Sequence, residues 1–140
     1  MKNYQYFHQI PLQIRFSDID MMGHVTNSVY LSFLDTGRID YFNKVLGLKV
    51  DRNHRSLIIA RIEIDFKDAL LLEDNAIQEN KIIKIGNKSL SMKQQIRADD
   101  QIKALSKVVM TGFNYDTGKS IPIPEEWKNT LRAFEKDIEF

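Results

Sequence analysis

The chain has 140 residues, of which 43% are hydrophobic and 28% are charged, and its 20 Lys and Arg nearly balance its 19 Asp and Glu. A chain of this size buries enough surface for one hydrophobic core, so we expect a single domain over residues 1–140 and exclude a two-domain enzyme. The formal net charge of +1 argues against a nucleic-acid partner, and the lack of cysteine excludes disulfides, thiolate metal sites and a cysteine nucleophile.

The first predicted element is a strand over residues 4–16. Its even-numbered residues are mainly apolar or aromatic and its odd-numbered residues mainly polar, which is the period of two of a half-buried strand. Pro11 lies inside this run and cannot donate a backbone hydrogen bond, so we expect an edge, a bulge or a break there. The positions predicted to face the core are Tyr4, Tyr6, His8, Ile10, Leu12, Ile14 and Phe16.

A long helix is predicted over residues 27–48, where apolar residues recur at spacings of three and four. The apolar face is wide enough to imply burial on more than one side. Thr26, Asn27 or Ser28 can cap the start of the helix through a side-chain oxygen. Gly47 stands where the helix should end. Gly37 costs about 1 kcal/mol relative to alanine inside a helix, so we expect another backbone to approach it closely.

Four more strands follow a polar loop at residues 51–56. The period of two returns in residues 58–66, 76–85, 89–98 and 101–115. Turn-forming residues at 86–88 and 99–100 separate the last three strands and favour antiparallel hairpins. Because hairpins do not supply parallel crossovers, the sequence predicts an α+β fold in which one antiparallel sheet curls around one long helix.

The last predicted element is a C-terminal helix that begins at Pro124, with acidic residues in its first turn. Its apolar stripe should pack against the rest of the domain; the stripe consists of Trp127, Leu131, Phe134 and Ile138. The first ten residues lack the apolar stretch of a signal peptide, and no segment is apolar over the length of a membrane span. We therefore expect a cytoplasmic protein without a membrane partner.

Polar and reactive side chains are densest in residues 15–27, between the first strand and the long helix. A strand-to-helix connection places them above the exposed N–H groups of a helix amino end, where negative charge is favoured. Such N–H groups stabilise the oxyanion that forms when a thioester carbonyl is attacked. Asp20 is the candidate nucleophile or general base, and His24 and Asn27 are candidates to position water or substrate.

These residues also have purely structural interpretations. Asp18 and Asp20 are typical of loops and helix caps, and a lone histidine such as His24 is more often structural than catalytic. Asp20 and His24 with one further carboxylate could hold a metal ion, but no second histidine lies near them in the sequence. We expect no metal site and no cofactor. The residues alone leave the function open.

Residues 15–38, RFSDIDMMGHVTNSVYLSFLDTGR, resemble the signature of hotdog-fold acyl thioesterases of the 4-hydroxybenzoyl-CoA thioesterase class. That signature runs Asp-x-Asp-x-x-Gly-His-Val-Asn-Asn-x-x-Tyr and continues into an aromatic-rich helix. Residues 62–75 and 85–96 resemble the family's next strand, its loop and the following hairpin, so the resemblance covers most of residues 10–115. It implies a hotdog fold, in which the sheet wraps around the long helix.

The resemblance also implies roles for individual positions. Asp20 matches the carboxylate that acts as nucleophile or water-activating base, and the backbone N–H near Asn27 matches the oxyanion donor. His24 matches a histidine implicated in catalysis in related acyl-carrier-protein thioesterases. Substrate-binding candidates, which match the acyl tunnel or the turn that meets the nucleotide end of coenzyme A, are Tyr30, Phe33, Lys88 and Ser89. Plain core aromatics and a solvated hairpin are the structural alternatives for these four.

Departures from the family pattern narrow the expected chemistry. Met22 stands where plant acyl-carrier-protein thioesterases have a catalytic asparagine, so their four-residue mechanism is not expected here. Three residues separate Asp20 from His24, whereas the dehydratases on this fold have four, which disfavours hydration chemistry.

The sequence therefore predicts hydrolysis of an acyl thioester of coenzyme A or acyl carrier protein. The alternative is a non-catalytic acyl-thioester binding or scaffold protein on the same fold. By resemblance we expect a homodimer or homotetramer with sites at the subunit interface, where Asp65 or Asp68 would contribute from a partner chain.

Overall fold

The computed structural model describes residues 4–47 and 53–138. In chain order these form β1 (His8–Pro11), a 3-10 turn (Phe16–Asp18), α1 (Asn27–Leu46), β2 (Arg55–Phe66), β3 (Ala76–Ile85), β4 (Ser89–Ala98), β5 (Gln101–Asn114), β6 (Lys119–Ser120) and α2 (Glu125–Glu135). The strands of this part of the chain join one antiparallel sheet in the order β1-β3-β4-β5-β2, with β6 added to β5. The long helix α1 lies against this sheet and α2 contacts both α1 and β3. The predicted α+β hotdog fold is confirmed.

Neither of the two helices in the described ranges is both long enough and apolar enough to cross a bilayer.

The first strand, β1, is much shorter than the predicted residues 4–16. It ends at Pro11, where we expected a break, and His8 and Ile10 face the core as predicted. The N–H of Leu12 still donates to the carbonyl of Ala76, but the chain then leaves the sheet and turns. Phe16 consequently lies at the start of the turn and is 80% exposed, so its predicted inward position is wrong.

Helix α1 begins at Asn27 as predicted and ends at Leu46, followed by Gly47 in the left-handed conformation with φ of 67°. The predicted last residue, Leu48, lies outside the described residues. Thr26 precedes the helix but makes no side-chain capping hydrogen bond. The buried face is narrower than predicted, because Leu31 and Ile39 are exposed.

Gly37 marks a close approach between α1 and the sheet, but to a side chain and not to a backbone. A Cβ atom at this position would lie 1.6 Å from Oε1 of Gln78, which is completely buried on β3. Alanine would therefore overlap this amide, and only glycine lets the helix lie so close. The predicted close approach is correct, while its partner was misidentified.

Strand β2 begins at Arg55, three residues earlier than predicted, and forms the edge of the sheet beside β5. A bulge between Ile59 and Arg61 interrupts its pairing with β5. Ile58 and Phe66 belong to the apolar face that the period of two indicates for this strand, but they are 41% and 49% exposed. Both side chains are exposed because β2 is an edge strand, with a neighbouring strand on one side and solvent on the other within a single chain.

The predicted bounds of β3 and β4 are those of the structure, and β5 ends one residue before the predicted position. The short strand β6, which sequence periodicity did not indicate, pairs with Phe113 and Asn114.

The core consists of two apolar clusters on the inner face of the sheet. The near cluster, beside the amino end of α1, contains Val25, Tyr30, Leu34, Leu70, Ala76, Ile96, Ala98 and Ala104. The far cluster, beside α2 and the carboxyl end of α1, contains Tyr41, Phe42, Ile82, Ile85, Leu90, Met92, Val108, Met110, Ile123, Trp127, Leu131 and Ile138. The apolar stripe of the C-terminal helix thus packs on the core as predicted, with Phe134 partly buried at its margin.

Helix α2 is also fixed by a buried carboxylate. Glu135 has no exposed surface, and its oxygens accept hydrogen bonds from Lys81 Nζ at 3.1 Å, from the Ile82 N–H at 2.9 Å and from the Tyr41 hydroxyl. Burial and the adjoining Glu135 hold the pKa of Tyr41 far above its usual range, so its hydroxyl remains a donor. These bonds join α2 to both α1 and β3.

Candidate active site

Asp20 closes a tight turn in the loop between β1 and α1. Its Oδ1 accepts hydrogen bonds from the backbone N–H groups of Met22 at 2.9 Å and His24 at 3.1 Å. Its own N–H donates to the carbonyl of His24 at 2.8 Å, and Gly23 completes the turn with φ of 78°. In the described part of the chain, Oδ2 has no hydrogen-bond partner. One carboxylate oxygen therefore shapes the loop and the other is free for a ligand.

The segment after β2 holds this loop against the sheet. His24 pairs with Leu71 in an isolated antiparallel bridge, and the N–H of Val25 donates to the carbonyl of Leu70 at 2.8 Å. The Tyr30 hydroxyl accepts a hydrogen bond from the N–H of Leu70 at 3.2 Å. The loop of Asp20 and His24 is therefore fixed beside residues 66–71.

The amino end of α1 opens at the same place. Thr26 provides no side-chain cap, and its carbonyl accepts the N–H of Val29 at 2.9 Å. Within residues 4–47 and 53–138, no acceptor takes up the N–H groups of Asn27 and Ser28. A helix amino end with free N–H groups carries partial positive charge and can bind an anion or a developing oxyanion.

These groups line one depression of about 270 Å³. Its walls are Asp20, His24, Val25, Asn27, Tyr30, Phe66, Lys67, Asp68 and Ala69. The structure thus brings together the three predicted catalytic residues and one predicted substrate-binding residue, Tyr30. The buried ring of Tyr30 meets Phe66 edge to face at 5.1 Å between centroids, and burial raises the pKa of its hydroxyl. The site therefore has an aromatic wall opposite its carboxylates.

Asp68, which lines the pocket, forms an ion pair with Lys103, a residue that the sequence did not indicate. Lys103 is buried on β5, and its Nζ lies 3.1 Å from Oδ2 of Asp68 and 3.9 Å from Oδ2 of Asp74. The Lys103 ammonium and the N–H of Ala69 hold the pKa of Asp68 below its usual value. Asp68 therefore supplies a negative charge to the pocket of its own chain, whereas we expected it to act from a partner subunit; Asp65 is exposed on β2.

The structure does not bring the other predicted substrate-binding residues into the pocket. Phe33 packs against the near cluster, and its carbonyl accepts a hydrogen bond from Gln78 Nε2 at 2.6 Å. Lys88 and Ser89 lie at the β3–β4 turn, beyond the end of β3 opposite to Ala76. The ten residues of β3 span about 30 Å, so within one chain this turn lies far from Asp20. The contact of Lys88 and Ser89 with the nucleotide end of coenzyme A stays a prediction.

Among residues 4–47 and 53–138, no three His, Asp or Glu side chains come together in a group that could hold a metal ion.

Comparison with known proteins identifies the family to which this chain belongs. The sequence profile of the thioesterase-like superfamily matches residues 14–131. A curated relative, the uncharacterized protein YsmA of Bacillus subtilis (strain 168), is 23% identical over 130 residues, which cover 92% of this chain and 86% of that protein.

Two solved structures are similar to this chain in both fold and sequence. A thioesterase from Thermus thermophilus, complexed with coenzyme A and Zn, has a TM-score of 0.81 and 29% identity, covering 91% of this chain and 93% of that one. A protein from Bacillus stearothermophilus, named a predicted thioesterase, has a TM-score of 0.82 and 26% identity, covering 90% and 94% of the two chains.

Proposed function

Because this chain belongs to the thioesterase-like superfamily, we propose that it hydrolyses an acyl thioester to a free acid and a thiol. Membership of the family and likeness to solved thioesterases support thioester hydrolysis in general. The observation that carries the proposal for this chain is the pocket, which both Asp20 and the amino end of α1 line. A base or nucleophile and an oxyanion site are the two groups that this reaction needs.

In the proposed reaction, the substrate carbonyl oxygen lies at the N–H groups of Asn27 and Ser28. Asp20 either takes a proton from the attacking water or attacks the carbonyl carbon itself, forming an anhydride that water then hydrolyses. The carbonyl oxygen becomes negative as the new C–O bond forms, and the helix N–H groups stabilise it. As this oxyanion collapses the C–S bond breaks, which gives the free acid when water attacks and the anhydride when Asp20 attacks, and the leaving thiolate takes up a proton. His24, in the same pocket, positions water or substrate.

Coenzyme A or acyl carrier protein is the proposed carrier of the acyl group. The coenzyme A bound to the thioesterase from Thermus thermophilus supports coenzyme A as the carrier.

We also propose that the protein acts as a homodimer or homotetramer in the cytoplasm. The exposed β2 edge offers a pairing surface for a second copy.

The experiment follows free-thiol release from a panel of acyl-CoA and acyl-carrier-protein thioesters. Asp20→Asn removes the charge but keeps an oxygen for the hydrogen bonds from Met22 and His24, so the loop should persist. We expect turnover to fall by about 100-fold or more. The matched control is Asp18→Asn, because Asp18 belongs to the same loop but its Oδ2 accepts from the N–H of Arg15.

An unchanged rate in Asp20→Asn contradicts the catalytic role of Asp20. A protein that binds acyl-CoA tightly but turns over no thioester on the panel would instead be the non-catalytic binding protein. The free carboxylate oxygen in the pocket favours the enzyme, because a binding protein has no use for a negative charge beside the thioester.

A further inference from the structure

We propose that Asp68 is a positioning residue for the proposed reaction: its carboxylate keeps the imidazole of His24 protonated, so that His24 can donate a proton to the leaving thiolate. The inference rests on the proposed thioester function and adds the source of the proton that the thiolate takes up. It depends on the pocket that both residues line, on the bonds that fix Asp68 and on the charges that surround His24.

The ring of His24 is available for chemistry in the pocket. The backbone of this residue is fixed, because its N–H donates to Oδ1 of Asp20 and it pairs with Leu71 in an isolated bridge. Its side chain lines the same pocket as Asp20 and Asp68. Within residues 4–47 and 53–138, no hydrogen bond or ion pair engages either ring nitrogen of His24. Both nitrogens are therefore open to substrate, to water or to a proton.

The carboxylate of Asp68 is held in one place by hydrogen bonds to both of its oxygens. Oδ1 accepts from the N–H of Ala69 at 2.9 Å, and Oδ2 accepts from Nζ of Lys103 at 3.1 Å. The backbone is fixed as well, since the N–H groups of Lys67 and Asp68 donate to the carbonyl of Lys103 at 2.9 Å and 3.2 Å. The negative charge of Asp68 thus has a defined position at the wall of the pocket.

Lys103 does not cancel this charge, because its ammonium is shared between two carboxylates. Nζ of Lys103 lies 3.1 Å from Oδ2 of Asp68 and 3.9 Å from Oδ2 of Asp74. One ammonium and two carboxylates leave a net charge of −1 on this group. Lys103 and the N–H of Ala69 also hold the pKa of Asp68 below its usual value, so its carboxylate is ionised at neutral pH.

The charges around His24 favour its protonated form. Asp20 on its own loop and Asp68 on the segment after β2 line the pocket with it, and the facing ammonium is that of Lys67. The amino end of α1 acts in the opposite direction, with about half a positive charge. The charge of Asp20 and the net charge of the group around Lys103 outweigh these positive charges. Asp68 and His24 attract each other through space, so the carboxylate stabilises the imidazolium.

The proton of His24 is used when the C–S bond breaks. The electron pair of that bond leaves with sulfur, and the proton passes from the imidazolium to sulfur, which gives the free thiol and a neutral imidazole. When water attacks, Asp20 has taken a proton from that water, and its transfer to His24 restores both groups. When Asp20 attacks, the neutral imidazole takes a proton from the water that opens the anhydride, which releases the acid and restores both groups.

The first experiment measures the charge of His24 directly. Nuclear magnetic resonance follows the ring signals of the three histidines with pH, and the signal that disappears in His24→Gln is that of His24. We expect the midpoint of its titration to lie about half a pH unit lower in Asp68→Asn than in the wild type, and Asp68→Glu to restore it.

Glu73→Gln is the matched control, because it removes the same charge from an exposed side chain of the same segment that does not line the pocket. The midpoint of His24 should stay at the wild-type pH in this variant. An unchanged midpoint in Asp68→Asn, or an equal shift in Glu73→Gln, overturns the inference.

The second experiment tests the donated proton through the leaving group. The alkyl thiolate of coenzyme A is a strong base and needs a proton as it leaves, whereas thiophenolate is a much weaker base and does not. At about pH 8, kcat for butanoyl-CoA should fall about threefold in Asp68→Asn, since half a pH unit changes the protonated fraction of His24 by that factor. The loss with the butanoyl thioester of thiophenol should be less than about 1.5-fold. Equal losses with the two thioesters overturn the proton donation.

The two experiments separate this inference from the proposed function. Hydrolysis of thioesters together with a His24 midpoint that does not move in Asp68→Asn supports the enzyme and overturns the role of Asp68. Failure of the wild type to hydrolyse any thioester overturns the enzymatic function and the proton donation together, even where the midpoint moves. A lower midpoint in Asp68→Asn together with a loss confined to the coenzyme A thioester supports both proposals.

Discussion

Asp20 shows how one residue can serve both the loop and the proposed chemistry. Its Oδ1 holds the turn through the N–H groups of Met22 and His24, while Oδ2 remains available in the pocket. Asparagine at this position separates the charge from the hydrogen bonds, whereas alanine would remove both. A loss of activity in Asp20→Asn is therefore informative about chemistry, and a loss in Asp20→Ala is not.

Lys103 links the charge state of the pocket to the stability of the fold. Because Lys103 lowers the pKa of Asp68, this pair stabilises the folded protein at pH values above the unfolded pKa of Asp68. That stabilisation is lost as the pH falls through the lower, folded pKa. Lys103→Met should therefore reduce the urea midpoint more at about pH 7 than at about pH 3.

Urea unfolding of Lys103→Met and wild type at the two pH values provides the measurement. Asp68→Asn is the complementary variant and should weaken the pH dependence in the same direction. An equal loss at both pH values would mean that Lys103 acts through packing and not through its charge.

At the residue scale, the local motif was the part of the site that the sequence could predict. Asp20, His24, Asn27 and Tyr30 lie within eleven consecutive positions, so the loop and the first helical turns bring them together. Lys103 on β5 comes next to the pocket residue Asp68 through the pairing of strands distant in sequence, and no pattern near it in the sequence indicates that contact. Long-range pairing is the information that the sequence pattern lacked.

At the scale of elements, α2 depends on the buried carboxylate of Glu135. Glu135→Ala would leave Lys81, which is completely buried, with the half-exposed Asp137 as its one ionic partner among the described residues. We expect the free energy of unfolding to fall by about 3 kcal/mol. Urea unfolding followed by the fluorescence of the single tryptophan, Trp127 on α2, measures this loss.

Glu125→Ala on the same helix is the control for this prediction. Glu125 is exposed and lies 3.8 Å from both Lys128 and Arg132, so its removal should cost less than about 1 kcal/mol. Equal losses for the two variants would show that the buried carboxylate does not anchor α2.

The elements differed in how well the sequence predicted them. Strands β3 and β4 pair on both sides and lie between clear turns, and their predicted bounds are those of the structure. Strands β1 and β2 lie at the two edges, where one neighbour is missing, and there the periodicity misplaced a strand end or the buried face. The buried amides of Gln78, Asn80 and Gln94 also escaped prediction, because the alternation of apolar and polar residues assigns a polar residue to the outer face.

At the scale of the whole molecule, the described part of the chain exposes a long strand edge in β2. This strand of twelve residues carries the exposed apolar side chains Ile58, Ile59 and Phe66. A long apolar edge invites pairing with another strand, so we expect two copies to associate there. Ile59→Lys should shift the sedimentation coefficient from that of a dimer or tetramer towards that of a monomer.

Ile39→Lys serves as the control, since Ile39 is even more exposed, at 63%, but lies on α1 and away from the edge. This variant should keep the β2-paired dimer. Dissociation caused by Ile39→Lys and not by Ile59→Lys would place the interface on the helix.

The buried amides of Gln78, Asn80 and Gln94 lie on the inner face of the sheet between the two apolar clusters, and Ile62 packs against both clusters. Substitutions in contact usually interact, whereas distant ones without common partners add in their effect on stability. Changes around Leu131 in the far cluster should therefore add to changes near Leu34 in the near cluster, whereas changes at Ile62 should not be additive with either. The far cluster can accumulate stabilising substitutions, or lose stability, while the reacting half keeps its shape.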